Sequence, residues 1–141
     1  MTQTAKIVRQ TSTGRMLNLL TSRLNGEMNR RLRPLGISLP EFSILMTLLE
    51  HEDQTQSELG RKTAIPAHGT TRSIDALEAL DLVERRLDPT SRRSRRIFLT
   101  AKGRQIGPQL FSIVSDVNAW LLNGLEESEK QTFAATLAKI L

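Results

Sequence analysis

The chain has 141 residues, of which 38% are hydrophobic and 25% charged, so it is one domain's length and neither disordered nor membrane-embedded by composition. No apolar run approaches the roughly 18 residues of a membrane-spanning helix, and the polar residues 1–6 lead into no signal-peptide core, so the cytoplasm is the expected compartment. With no cysteine there is no disulfide, thiolate metal site or thiol redox sensor, and the net charge of +5 points toward an anionic partner.

Residues 1–14 read as a loose arm or the start of a helix. From about residue 15 to 35, Leu17, Leu20, Leu24, Met28, Leu32 and Leu35 recur at helical spacing, and Pro34 with Gly36 ends that helix. Ser38-Leu39-Pro40-Glu41 has the form of a capping box. Phe42, Leu45, Met46 and Leu49 then follow at i, i+3, i+4 and i+7, giving a second helix to about His51. After the polar break Glu52-Asp53-Gln54, the run Thr55-Gln56-Ser57-Glu58 repeats the capping signature and opens a short helix to about Thr63. Ile65-Pro66 restarts the chain into a helix reaching about Leu80, with Thr70 (through its methyl), Ile74, Leu77 and Leu80 inward.

Residues 82–87 alternate, with Val83 and Leu87 on one face and Glu84 and Arg86 on the other. Asp88-Pro89-Thr90-Ser91 is a turn signal. Residues 95–100 alternate again with Ile97 and Leu99 inward, which predicts a β-hairpin with a long basic loop over residues 88–94. Helical spacing returns over residues 101–123 through Ile106, Leu110, Ile113, Val114, Val117 and Leu121, with a kink near Pro108. Gly124 closes this helix, and residues 126–141 form a last amphipathic one. The order is mainly α: a helix-turn-helix followed at once by a basic β-hairpin wing, flanked by long helices at the chain ends.

The basic residues are clustered. Residues 85–96 hold six arginines against one acid, Asp88, and residues 6–33 hold seven basic residues against one acid, Glu27. With Ile74 and Leu77 facing the core, the opposite face of the helix after Pro66 carries His68, Thr71, Arg72 and Asp75. These are donors and acceptors of the kind that read base edges, and Arg72 has the fork that fits guanine N7 and O6. Arg92 and Arg93 fall in the predicted loop, where an arginine can enter a narrow minor groove. Arg85, Arg86, Arg95 and Arg96 are expected to lie along phosphates.

The stretch TQSELGRKTAIPAHGTTRSIDALEALDLVERRLDPTSRRSRRIFLTAKGR, residues 55–104, resembles the MarR family of winged helix-turn-helix regulators. The resemblance is carried by Thr55-Gln56-Ser57-Glu58-Leu59, by Arg72 with Asp75 and Leu77-Glu78, by Leu82-Val83-Glu84-Arg85 running into Asp88-Pro89, and by Leu99-Thr100-x-Lys102-Gly103. It implies a transcriptional regulator, by the family's habit a repressor, binding double-stranded DNA as a homodimer on a near-palindromic operator. It also implies that Ala67, His68, Thr70, Thr71 and Arg72 read the groove and that Arg93 is the wing-tip arginine. Residues 1–36 are then an arm and dimerisation helix, 37–100 the DNA-binding domain, and 101–141 further dimerisation helices. Leu17, Leu20, Leu24, Phe111, Trp120, Leu121, Phe133, Leu137 and Ile140 are candidates for that interface. A small aromatic or phenolic effector is implied too, with Arg15, Phe42, Met46 and Phe111 as candidate lining residues. The sequence departs from the family pattern at Pro66, Gly69, Asp81 and Ser91.

No cofactor is expected. Glycines are scattered rather than gathered in a phosphate loop, and no nucleophile–base or paired-carboxylate pattern stands out. Glu50, His51, Glu52 and Asp53 are adjacent at a helix end and point in different directions, which argues against a metal site. The competing readings are a protein-binding adaptor built on the winged fold and a nonspecific architectural DNA binder.

Overall fold

The computed structural model describes residues 2–141, and of Ala67 the backbone alone. Helix α1, Ala5–Thr11, is capped by Thr4, and Ser12 then breaks the chain and caps α2, Thr13–Leu32. A 3-10 turn over Arg33–Leu35 ends at Gly36, which sits at φ 70° where a side chain would be strained. Helix α3, Leu39–Glu50, starts at a true capping box. The Ser38 backbone N–H donates to Glu41 Oε2 at 2.7 Å, and the Glu41 N–H donates to Ser38 Oγ at 3.4 Å. Helix α4, Gln56–Thr63, repeats this with Thr55 and Glu58. Ala64, left-handed at φ 57°, makes the sharp turn into α5, Ala67–Ala79.

The sheet is where the structure exceeds the sequence reading. Strands β2, Val83–Asp88, and β3, Ser91–Leu99, are antiparallel, and a short strand β1, Gln54–Thr55, pairs with the outer side of β3. The predicted long loop over residues 88–94 is not present. Asp88 accepts hydrogen bonds from the Thr90 N–H at 2.9 Å and the Thr90 hydroxyl at 2.8 Å, which folds Pro89-Thr90 into a tight turn. Leu87 pairs with Arg95 while Asp88 pairs with Ser91, so Arg92, Arg93 and Ser94 form a bulge on β3 opposite a single step of β2. Leu87 shares a face with Val83 by spacing, but it is 71% exposed whereas Val83 is buried. The buried apolar positions of the hairpin end at the level of Arg85 and Ile97, and beyond the Thr55–Arg96 pairing the two strands continue as a ribbon.

The predicted long helix after the wing is broken at Ile106 into α6, Ala101–Gln105, and α7, Gly107–Leu121. Pro108 has no N–H to continue the ladder and its ring would press on the carbonyl of Arg104. Helix α8, Glu127–Ile140, completes the chain. One core runs through the molecule, from Met28 and Leu32 of α2 through Ile44, Leu45 and Leu48 of α3, Leu59, Ile74 and Leu77, to Ile97 and Leu99 of β3 and Leu110 and Val117 of α7. Helix α8 contributes no buried side chain to it.

Candidate nucleic-acid interface

The helix-turn-helix is held together by small residues at close approach. Thr70 is 1% exposed, and its hydroxyl donates toward the carbonyls of Ile65 and Pro66 at 3.3 and 3.2 Å. A β-carbon on Gly60 would lie 3.0 Å from that hydroxyl. Thr70 therefore locks α4 against α5 and is removed from the set of groove readers, although its place among the inward residues of α5 holds. Gly69 has a similar reason, since a β-carbon there would meet the Ile65 side chain at 2.9 Å. The side chain of Ala67, expected in the groove, lies outside the described residues.

His68, Thr71, Arg72 and Asp75 all lie on the exposed side of α5. Gln56 Nε2 donates to Thr71 Oγ1 at 2.6 Å, which orients the threonine from α4. Between the start of α5 and the wing lies an open cleft of about 670 Å³, lined by Gln56, Arg61, Pro66, Thr71, Arg93 and Arg95 among others, with no carboxylate in its lining. Arg93 of the β3 bulge and Arg95 at its inner end thus line the cleft beside the helix-turn-helix. Arg95 Nη1 donates to the carbonyls of Arg92 and Ser94 at 3.3 and 3.2 Å and braces the bulge from within.

The arginines of the wing fall into two groups, a division the sequence reading missed. Arg85, expected on phosphate, has a side chain only 19% exposed, with Asp75 Oδ1 at 2.6 Å and Glu78 Oε1 at 3.1 Å. Its guanidinium is held by protein carboxylates, which corrects that expectation. Arg96 is turned inward as well, donating to the Asp53 carbonyl at 3.0 Å and to Asp53 Oδ1 at 3.2 Å, with Asp88 Oδ1 at 3.6 Å. Arg86 pairs with Glu84 and stacks 3.9 Å above the Phe98 ring, but stays half exposed. Arg72, Arg92 and Arg93 are exposed and make no ion pair with another described residue. The signal for the pairing was present in the motif Asp75–Glu78–Arg85, but the distances between those residues are set by the fold and not by spacing.

The carboxylates around the wing are structural. Hydrogen bonds from the Thr90 N–H and hydroxyl, against some burial and with help from Arg96, lower the Asp88 pKa and keep the turn's acceptor ionised. Burial pushes Glu52 upward, but the Arg104 guanidinium and the Leu99 N–H at 2.9 Å together leave it below its ordinary value. Glu52 thereby joins the end of α3 to β3 and α6. Among the described residues no group of His, Asp and Glu is arranged to hold a metal ion.

Of the expected effector residues, the fold brings two together. Met46 and Phe111 line a shallow cleft of about 280 Å³ with Thr47, Leu49 and Glu50. Phe42 instead packs against the core, because the inward face of α3 continues through it. Arg15 is exposed on α2 and is not part of that lining.

A short helix, a tight left-handed turn, an exposed polar helix face and an arginine-bearing β-ribbon beside it define a winged helix-turn-helix DNA-binding regulator. Comparison with known proteins makes this specific. Residues 35–94 match the MarR family. The HTH-type transcriptional repressor Rv2887 of Mycobacterium tuberculosis is 28% identical over 127 residues, covering 90% of this chain and 91% of that protein. The reduced form of MarR from Escherichia coli has the same fold with a TM-score of 0.86 at 27% identity, over 92% of this chain and 96% of that one. A cysteine-substituted E. coli MarR in complex with operator DNA matches with a TM-score of 0.83 at 25% identity, over 98% and 99% of the two chains. Over residues 35–94 the chain is thus similar to the MarR family, and the relatives it resembles along nearly its whole length are transcriptional regulators.

Proposed function

We propose that this protein is a sequence-specific transcriptional repressor acting in the cytoplasm as a homodimer on a near-palindromic operator. The observation that carries the reading is the distribution of free cations. Among the described residues, Arg72 on the reading helix and Arg92 and Arg93 on the wing bulge are exposed and make no ion pair, and Arg93 lines a cleft without carboxylates. Arg85, Arg86 and Arg96, by contrast, are matched with acids. A polyanion is the partner that such an arrangement favours.

In this reading the exposed face of α5 enters the major groove, with Arg72 forked onto a guanine and His68 and Thr71 reaching base edges or phosphates. Arg93, with Arg92 and Arg95 beside it, follows the backbone into the minor groove, and Arg86 contributes at the periphery. Residues 37–100 are the reading domain, and residues 1–36 and 101–141 are the dimerisation segments. Support for the dimer comes from α8, which buries none of its own side chains, and from exposed Met16, Leu19, Phe111, Trp120 and Ile140 on the terminal helices. A two-fold pair sets two reading helices roughly 34–36 Å apart, one DNA turn. We further propose that a small aromatic or phenolic effector enters beside Met46 and Phe111 and favours a spacing of the reading heads that does not fit the operator.

The test is selection of genomic fragments by the purified protein at two salt concentrations. Enrichment of a short near-palindrome that survives the higher salt supports the reading. Binding that vanishes with salt and carries no motif replaces it with architectural binding, and no binding at either salt replaces it with a protein adaptor.

A further inference from the structure

We propose that Arg85 is a positioning residue for DNA reading: it fixes the angle between α5 and the wing and does not itself hold a phosphate. The inference rests on the reading that this chain binds duplex DNA. Four contacts converge on this one residue. Nη2 is 2.6 Å from Asp75 Oδ1 and donates to the Thr71 carbonyl at 3.4 Å. Nη1 donates to Glu78 Oε1 at 3.1 Å, and the Arg85 backbone N–H donates to Glu78 Oε2 at 3.3 Å. Together they grip residues 71 to 78 of α5, about two helical turns.

Only a planar fork with donors on both edges can hold two carboxylates and a carbonyl at once, and lysine's single ammonium cannot. The guanidinium is mostly shielded from solvent, so salt screens these pairs less than ordinary surface pairs. From Arg85, β2 runs directly through Arg86 and Leu87 into the ribbon that carries Arg92 and Arg93. A tilt of α5 against β2 would therefore put the helix and the wing out of step on two successive grooves. The latch through Thr100 and Lys102 grips residues 80 and 81, past the far end of α5 from its reading half. Arg85 also neutralises Asp75 and Glu78. Left bare, these carboxylates would face the phosphates from the exposed side of α5.

The experiment compares wild type with Arg85→Lys on two duplexes over a salt series: the near-palindrome that wild type selects, and a scrambled duplex of the same composition. A positioning role predicts that preference for the selected duplex falls about tenfold or more, with the salt slope on both duplexes unchanged. If Arg85→Lys keeps the preference while Arg85→Gln lowers the salt slope by about one counterion, Arg85 is a phosphate contact and the proposal is overturned. No change in either quantity overturns it as well. If Arg85→Lys fails to fold, Asp75→Asn and Glu78→Gln remove the same pairs without altering β2. Each should lower the preference, and an unchanged preference in both overturns the proposal. Failure of wild type to prefer any duplex defeats the DNA reading itself, which separates that failure from this one.

Discussion

A β-carbon on Gly103 would stand 2.1 Å from the carbonyl oxygen of Leu82. That oxygen accepts from the Thr100 N–H at 3.1 Å, so the start of α6 is pressed onto the end of α5 by a hydrogen bond that tolerates no side chain between them. The Thr100 hydroxyl on the Asp81 carbonyl at 2.6 Å and Lys102 Nζ on the Leu80 carbonyl at 2.9 Å complete the latch. This gives the motif Leu99-Thr100-x-Lys102-Gly103 a physical content. Gly103→Ala is expected to destabilise the protein by about 3 kcal/mol or to prevent folding. Urea denaturation checks it, and a loss below about 0.5 kcal/mol would mean that the helices do not meet this closely.

Among the described residues, three non-glycine residues sit in the left-handed region, Asp53 at φ 60°, Ala64 at φ 57° and Asp81 at φ 59°, and the last two make the turns that end α4 and α5. Alanine has no side-chain group to offset that conformation, whereas aspartate tolerates it better. Ala64→Gly should stabilise by about 0.5–1 kcal/mol after the entropy of glycine in the unfolded chain is counted, and Asp81→Gly by less. Thermal unfolding of both variants measures the order, and a destabilising Ala64→Gly would contradict the turn geometry.

Arg72 and Arg93 should separate in their effects. Arg72→Ala is expected to lose about 1–3 kcal/mol of discrimination at one base position with a modest loss of overall affinity. Arg93→Ala should weaken binding to all duplexes alike and lower the salt slope by about one. Titrations on base-substituted duplexes distinguish them, and intact discrimination in Arg72→Ala would mean that α5 meets DNA with another face.

Hydrogen bonds from Arg30 and Arg31 hold the Glu27 carboxyl at about 2, well below its ordinary 4.5, against a smaller opposing effect of burial. A carboxylate with a lowered folded pKa contributes stability that is complete above its unfolded pKa and is lost as pH falls through the folded one. Glu27 should therefore help the fold above about pH 4.5, and its help should fade between 4.5 and 2. Glu27→Gln is expected to lower stability at neutral pH and flatten this acid limb, as followed by circular dichroism. An unaltered limb would mean that the pairs with Arg30 and Arg31 do not form in solution.

Leu137→Glu places a charge on the partly covered face of α8 without entering the core. On the proposed homodimer, sedimentation should show wild type as a dimer and this variant shifted toward monomer, with a melting temperature that no longer rises with protein concentration. An unchanged dimer would remove α8 from the interface.

Much of the scaffold was legible in the chain because its signals are local. Both capping boxes, the stop at Gly36 and the inward Ile74, Leu77, Ile97 and Leu99 follow from spacing and from single-residue chemistry. What escaped notice depends on distant partners. Strand β1 is two residues long, too short to show alternation. The tight wing turn depends on an Asp88–Thr90 hydrogen bond, and the bulge moved residues that read as a loop into β3. Leu87 looked buried by parity, but parity does not reveal where the core stops. Of the candidate site, the exposed face of α5 was read correctly for His68, Thr71 and Arg72. The division of the arginines was hidden because Asp53, Asp75 and Glu78 approach them only in the folded chain.

Thr55 closes strand β1 against Arg96 and at the same time caps α4 through Glu58. The outer edge of the wing and the first helix of the reading motif therefore share one residue, and neither can open locally without loosening the other. Amide exchange at Ile97 and at Glu58 should accordingly report one common opening event and not two. A change that lengthens or loosens the ribbon for a new operator would then act on α4 as well, so the two parts are constrained to change together.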